Sequence, residues 1–565
     1  MTAAGPGRAD GRWAITAVLL LAAVALRWAW FDPWLCDDAF VSFRYAEQWL
    51  AGHGLVFNPG ERVEGYSNPL WVWLLAACGW FGADLPGAAQ VLGALSFAAT
   101  VGLLGWAACR GPAGRGAVLP VAALAVLGHH HLSDFATCGL ETSAFVLATT
   151  GTALALRRAA SGRDFLGAAL WAVVAALLRP DGALWLGLVG WFALGASLRQ
   201  RRVGAAFGAA LPGLGLFLPF LLWRHAYYGD WLPNTFYAKS ASDPYPGQGW
   251  FYVQLFLGSY WVLWPIAALL PVLCCWRRGT GRERLALMAL AYLGFVVWVG
   301  GDFMFARFCL PVVPILYLLA EDLVAQLPGK GARWLTAAVV VGGTFAWHER
   351  SDLGVVGQTV RGIADEHAQY PRARTEAIRK VGRRLGTLLG GPVATGGVPV
   401  RVAFSGTQAM LVYEAKVDYA LEAVTGLTDR HLARQVLVER GHVGHEKGIF
   451  RSAAATDYAL TTQRVHLFLF DWPELTAALP FLRLSIDGTA CTVVRWDPAV
   501  MARLLGQPGV EATDLPAWLD AYLAAPGQRP PAEVAGVWQA LERVYFRWVE
   551  DPARRERLRA LLPKG

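Results

Sequence analysis

Two adjacent carboxylates, Asp37 and Asp38, stand a few residues beyond the first apolar run of the chain. Side by side at a membrane surface they repel each other. One of them should then hold its proton more tightly than a free carboxyl unless a cation or a metal compensates. A carboxylate tuned upward in this way suits general-base work. The ordinary role of such an Asp is to cap the helix that follows, and Asp37 is placed to do so for a helix starting at Asp38. The company the pair keeps favours chemistry. Arg44 and Tyr45 lie on the same segment, followed by Gly54–Glu61 and by Glu64-Gly65-Tyr66-Ser67-Asn68-Pro69-Leu70-Trp71.

Similar polar islands recur between apolar runs. They are Gly139-Leu140-Glu141-Thr142, Arg179-Pro180-Asp181-Gly182, Tyr227-Tyr228-Gly229-Asp230, Leu232-Pro233-Asn234-Thr235-Phe236-Tyr237-Ala238-Lys239, and Gly301-Asp302-Phe303-Met304-Phe305-Ala306-Arg307. Each couples a carboxylate or amide with a cation or an aromatic ring. Arg179, Arg224, Lys239 and Arg307 could grip an anionic head group at a water–membrane boundary while apolar walls hold its tail. The plainer reading is that these side chains snorkel from span ends. For Arg179 and Arg307, each beside an Asp, a structural ion pair is a further one.

These islands need a scaffold, and the composition says which kind. The chain has 565 residues, 55% of them hydrophobic, with 26 Trp and a mean hydropathy of +0.37. That is too apolar for an ordinary soluble protein of this length. Of the 92 Lys, Arg, Asp and Glu residues, only 41 lie in residues 1–347. We therefore expect a polytopic α-helical membrane part, 1–347, with an extracytoplasmic first loop, 31–68, and a soluble α/β domain, 348–565. Uncharged runs begin at Ala14–Leu26 and continue with Leu85–Cys109, Gly116–Gly128, Thr142–Leu156, Phe165–Leu178, Gly182–Leu198, Val203–Trp223, Trp250–Trp276, Leu285–Gly301, Phe308–Ala320 and Trp334–Trp347. They predict about eleven spans, several of which must borrow turns from their flanks to reach the ~20 residues a crossing takes. Pro69–Ala83 reads as a re-entrant or interfacial helix, or as the second span.

Charge sets the orientation. With the N-terminus inside, the inside loops hold sixteen Lys and Arg and the outside loops six. This is the positive-inside bias. Every polar island and residues 348–565 then fall on the extracytoplasmic side of an inner (plasma) membrane protein. The same clustering argues against a nucleic-acid partner for the net charge of +8. No cleavage site follows Ala14–Leu26, so it is read as a retained span.

The eight Cys do not form a disulfide framework; Cys36 and Cys138 are a pair that could meet. His442 and His445 have a spacing zinc ligands can use, without a third ligand. In the soluble part, Val400–Phe404, His466–Phe470 and Cys491–Val494 read as strands, Arg372–Leu389 and Leu541–Leu562 as helices, and Gly390–Pro399 as a loop.

The Asp37-Asp38 loop, the Glu64–Trp71 motif, Arg179–Gly182, Leu232–Lys239 and Gly301–Phe305, with Gly426-Leu427-Thr428-Asp429 and Gly444-His445-Glu446-Lys447 in the soluble part, resemble the GT-C superfamily of bacterial membrane glycosyltransferases. Within it they are similar to the mycobacterial terminal β-(1→2)-arabinofuranosyltransferases. The resemblance implies a GT-C fold and an inverting transfer of a sugar, arabinofuranose among the options, from a polyprenyl-phosphate donor to a cell-envelope glycan on the extracytoplasmic face. It makes Asp37 or Asp38 the catalytic base, with Asp37 favoured. Arg44, Tyr45, Glu141, Arg179, Asp181, Asn234, Lys239, Asp302 and Arg307 become the donor-binding set, Lys239 and Arg307 the cations for the leaving phosphate, and Ca²⁺ or Mg²⁺ a cofactor of some relatives. Two other readings compete: a transporter or flippase of lipid-linked glycans, which would be expected to carry charges within its spans, and a non-catalytic polysaccharide-binding membrane protein.

Overall fold

The apolar runs fold as helices and the charged remainder as a mixed α/β region. The computed structural model describes residues 8–110, 119–275, 281–350, 352–389, 398–406, 408–441, 443–477, 479–525 and 529–562, with side chains from residue 15 onward. Arg115, Arg277, Arg278, most of the Gly390–Pro399 loop and His442 lie outside the described residues.

Helix Arg8–Ala29 contains the first run and packs against Leu85–Arg110. Helix Gly162–Leu178 starts where it does because Ser161 and Asp164 form a reciprocal capping box, which satisfies donors at its first turn. Helix Gly204–Pro212 packs closely on it. A Cβ on Gly208 would lie 2.1 Å from the Gly162 carbonyl oxygen, so only glycine permits this approach.

Two expected spans are irregular. In Val203–Trp223, Pro212 withholds an N–H, and the helix widens over Gly213–Phe217 before resuming as Leu218–Tyr228. Trp250–Trp276 divides into Pro246–Ser259 and Trp261–Cys275, bent by 108°, with Pro265 just past the break. By length and apolarity alone, three helices among the described residues can cross a membrane: Leu85–Arg110, Pro180–Gln200 and Gly204–Tyr228. The bent pair makes a fourth if it is one span. Others, such as Thr142–Arg158, have 17 residues and reach about 26 Å, just short of a hydrocarbon core of roughly 30 Å. Eleven crossings thus remain a proposal that leans on charge alternation. Helix Pro69–Trp80 has 12 residues, about 18 Å, and does not span by itself. It packs against Ala39–Leu50.

The outer surface of these helices is greasy. Leu19, Trp191, Leu198, Phe207 and Leu214 are all more than 60% exposed. Apolar patches on this scale are abnormal against water and normal against lipid.

The α/β region carries one six-stranded sheet in the order β2-β1-β3-β5-β4-β6. The strands are β1 (Arg401–Phe404), β2 (Tyr419–Glu422), β3 (Leu467–Phe468), β4 (Arg483–Ile486), β5 (Thr489–Val493) and β6 (Val510–Glu511). β2, β1 and β3 run parallel; β5, β4 and β6 continue the sheet antiparallel. β2 and most of β1 are buried, which suits their apolar character. The helix expected over Leu541–Leu562 is interrupted: Pro531–Leu541 runs through Glu542–Phe546, and Asp551 then caps a new helix, Pro552–Arg559.

The first loop fastens this sheet to the helices. Asn58 donates to the Ala420 carbonyl (3.0 Å) and accepts from the Ala420 N–H (2.9 Å), like an extra strand partner for β2. Lys416 pairs with Glu47. The C-terminal ends of β1 and β2, at Phe404 and Glu422, therefore face the helical part.

Candidate active site

At that junction lies a narrow cleft of about 100 Å³. The helical part contributes Asp38, Glu141, Lys239 and Arg307; the sheet region contributes Glu422 and His445. Asp38 precedes helix Ala39–Leu50 without capping it. Among the described residues its half-buried carboxylate accepts no hydrogen bond. Burial raises its pKa, against the opposing pull of Lys239 and Arg307.

Asp37 has another task. It is 1% exposed and absent from the cleft lining. Its two oxygens accept from the backbone N–H groups of Ala409 and Met410, both at 2.9 Å. It therefore caps helix Ala409–Ala415 from a distant part of the chain, rather than the helix that follows it. Its pKa is pushed up to about 7, mainly by burial; repulsion from Asp38 is a smaller contribution, behind the two opposing hydrogen bonds.

Several other expected donor-binding residues are also structural. Arg44 is 2% exposed, does not line the cleft, and donates to the carbonyls of Phe57 and Val417, both at 2.9 Å. The Tyr45 hydroxyl donates to Val63 O (2.6 Å) and accepts from Gly65 N–H (2.8 Å). Gly65 is needed there, since a Cβ would sit 2.8 Å from the Leu427 carbonyl. Asn234 donates to the carbonyls of Gly426, Leu427 and Asp429, joining its loop to the sheet region. Arg224 pairs with Glu64 at 3.0 Å.

The remaining charges form a buried network. Arg307 meets Glu141 (3.2 Å) and Asp302 (3.5 Å), and Arg179 meets Asp181 (3.0 Å) and Glu141 (3.8 Å). Tyr292 donates to Asp181 (2.5 Å) and Asn68 to Glu141 (2.7 Å). Two cations face three carboxylates, so Arg179 is spent within the protein and Arg307 largely so. Arg307 still lines the cleft, and its buried Nε has no partner among the described residues. Lys239 differs: among the described residues its ammonium has no hydrogen bond or ion pair, and it lies 5.9 Å from the Phe303 ring centroid. It is the cation best placed to receive an anion.

Two cleft-lining groups, His445 and Glu422, and one buried carboxyl coupled to Asp38, Glu366, were not assigned to the donor site from sequence. His445, read there as half of a zinc pair, packs edge-on to Phe303 (5.0 Å), and its Nε2 would lie 3.4 Å from a Cβ on Gly406. Glu422 accepts from the N–H groups of Val424 (2.9 Å) and Thr425 (2.7 Å). Glu366, 8% exposed, stays protonated up to about 8 because of burial and the charges of Asp38, Asp302 and Asp37. Only the motif Gly444–Lys447 hinted at any of them; Glu366 has no local signal.

Among the described residues no group of three or more His, Cys, Asp and Glu side chains could hold a metal ion. In the cleft, Glu141 and Glu422 are already engaged, which leaves Asp38 alone. Among the described residues, then, the cleft offers no ligand set that fits a divalent cation. Cys36 and Cys138 are free thiols joined only through their backbones, Cys36 N–H to Cys138 O at 2.8 Å.

The helical part and the sheet together adopt the GT-C fold. They superimpose on ArnT from Cupriavidus metallidurans, crystallised with undecaprenyl phosphate, at a TM-score of 0.50 and 13% identity, covering 75% of this chain and 88% of that one. In sequence the chain is similar to terminal beta-(1->2)-arabinofuranosyltransferases. It is 30% identical to that of Corynebacterium glutamicum over 374 residues (58% of this chain, 54% of the relative). It is likewise 30% identical to that of Mycobacterium tuberculosis over 420 residues (63% and 65%). The match thus spans between about half and two thirds of these relatives. No family model matches.

Proposed function

We propose that the chain is an inverting glycosyltransferase that moves a sugar, arabinofuranose by its sequence relatives, from a polyprenyl-phosphate donor to a cell-envelope glycan. The observation that carries this reading is the meeting of Asp38, uncommitted and with a raised pKa, and Lys239, an uncommitted cation, in one cleft between a lipid-facing helical body and a water-facing sheet. Asp38 takes the proton of the acceptor hydroxyl. The hydroxyl oxygen attacks the anomeric carbon from the face opposite the phosphate. The carbon–oxygen bond to phosphate breaks, and its electron pair leaves with the lipid phosphate. Lys239 and the unpartnered Nε of Arg307 stabilise the charge that gathers there, and His445 stands beside Lys239 as a further donor. The network of Glu141, Arg307, Asp302 and Arg179 holds the cleft floor rigid. The curated relatives' printed activity and the lipid phosphate bound to ArnT support this chemistry.

The base is therefore Asp38 rather than Asp37, whose oxygens are consumed by backbone donors. The test is transfer of labelled sugar from a synthetic polyprenyl-phosphate arabinofuranose by purified protein. Replacing Lys239 with Gln should lower turnover by about 10²–10³-fold, the usual loss when one stabilising donor is removed. Unchanged turnover in that variant would remove Lys239 from the reading.

A further inference from the structure

A second cavity, of about 440 Å³, lies at the other end of the same strands. β1 and β3 run parallel and β5 antiparallel beside them. Arg401 opens β1, His466 precedes β3 and Arg495 follows β5, so topology brings all three to one edge. Arg464 joins them, and among the described residues no carboxylate lines the space. The other ends of β1 and β2 border the cleft, so the two cavities are separated by the length of the strands.

These groups are held largely by rings, an amide and backbone carbonyls, with Asp497 the carboxylate acting on His466 and Arg495. Arg401 donates through Nη2 to Gln463 Oε1 (2.9 Å) and stacks on Tyr419, 3.4 Å from its centroid. Arg495 stacks on Trp548 (4.5 Å) and donates to Arg464 O (3.3 Å), leaving its buried Nε without a partner among the described residues. Among the described residues the exposed Arg464 guanidinium has no hydrogen bond or ion pair. His466 is 1% exposed, and its Nδ1 accepts from Arg401 N–H (3.0 Å), so the neutral ring carries its proton on Nε2. Among the described residues that buried Nε2 makes no hydrogen bond, and the Asp497 carboxylate lies 3.8 Å from it. Burial and the neighbouring arginines keep this ring neutral down to about pH 4.

We infer that the edge formed by Arg401, Arg464, His466 and Arg495 is a binding site for a phosphate-class oxyanion, either free phosphate or a phosphate carried on a soluble glycan. Planar guanidinium forks and a buried imidazole N–H are the donors such an anion takes. The site is independent of the transfer reaction and of the lipid donor, because it lies at the opposite end of the strands.

The test uses the full chain in detergent with Lys239→Gln in place, which removes the uncommitted cation of the cleft and leaves there Arg307, largely spent on Glu141 and Asp302. Inorganic phosphate, glucose 6-phosphate and glucose are titrated calorimetrically at fixed ionic strength. Saturable binding of both phosphates, but not of glucose, is expected. Tighter binding of glucose 6-phosphate points to a glycan-borne phosphate, and equal affinities point to the free ion. Arg464→Gln, at an exposed side chain without partners, should weaken binding about tenfold, the worth of one charge-assisted hydrogen bond. Arg495→Gln should do the same. In an otherwise wild-type chain, Arg464→Gln should transfer sugar at the normal rate. Phosphate affinity unchanged in both variants, no saturable binding, or equal binding of glucose would overturn the inference.

Discussion

Asp37 and Asp38 are sequence neighbours with opposite fates, because one side chain turns to backbone donors 372 positions away and the other to an open cleft. Asp37→Asn places an amide NH₂ against a backbone N–H and leaves that donor unmet. It should destabilise the fold by about 1–3 kcal/mol, seen as a lower unfolding temperature, without abolishing transfer per folded molecule. The pH dependence has a definite sign. Asp37 titrates near 7 when folded, against 3.8 for an unperturbed Asp. The folded state therefore binds this proton more tightly, and its stabilisation is present below about 4 and lost as pH rises to about 7. The variant lacks that slope, so the stability gap between it and wild type should narrow over this window; a gap that widens would refute the assignment. For Asp38 the raised pKa moves the acid limb of kcat/KM above the ordinary carboxylate range of about 4. A pH–rate profile with its acid limb at or below that range would contradict the role.

At the scale of elements, the sheet is aligned on the cleft by the first loop. Asn58 alone supplies both hydrogen bonds to Ala420. Asn58→Ala should loosen β2 by about 1–3 kcal/mol, read as faster amide exchange at Tyr419–Glu422. If exchange there is unchanged, the clamp does not hold β2. What sequence could and could not tell divides along the same line. The apolar runs, the strands near Val400, His466 and Cys491, and helix Arg372–Leu389 were legible because each follows from local periodicity or composition. Breaks within runs were signalled only by Pro212 and Pro265, whose effect depends on neighbours. Glu141, Lys239 and Arg307, which line the cleft, were legible as candidates because their polarity is conspicuous at the ends of apolar runs. Asp37, Arg44, Tyr45 and Asn234 looked equally conspicuous, but their partners are backbone groups, which a sequence cannot reveal. Glu366 and Glu422 were missed for the converse reason: nothing beside them is unusual.

For the whole molecule, a lipid-facing helical body meets a water-facing sheet along one seam, and the cleft opens in that seam. Under the proposed function, this arrangement would bring a lipid-borne donor and a soluble acceptor together without moving charge through the bilayer, where it is costly. It also joins the first loop and the Asn234 loop to the sheet region, since Arg44, Asn58 and Asn234 bond directly to it; we propose that all three lie on one side of the membrane. Cysteines introduced at exposed positions Arg62 and Arg557, in a background with the exposed native Cys109 and Cys275 replaced, should both react with an impermeant thiol reagent from the extracytoplasmic side. Labelling of the two from opposite faces would be incompatible with the seam.

The most direct measurement is a side-by-side transfer assay of wild type, Asp38→Asn and Asp37→Asn, each normalised to folded protein, with a polyprenyl-phosphate arabinofuranose donor. Asp38→Asn should lose about 10²–10⁴-fold in turnover, as expected for a missing general base, while Asp37→Asn keeps most of its rate. Full activity in Asp38→Asn, or its loss only in Asp37→Asn, would contradict the account.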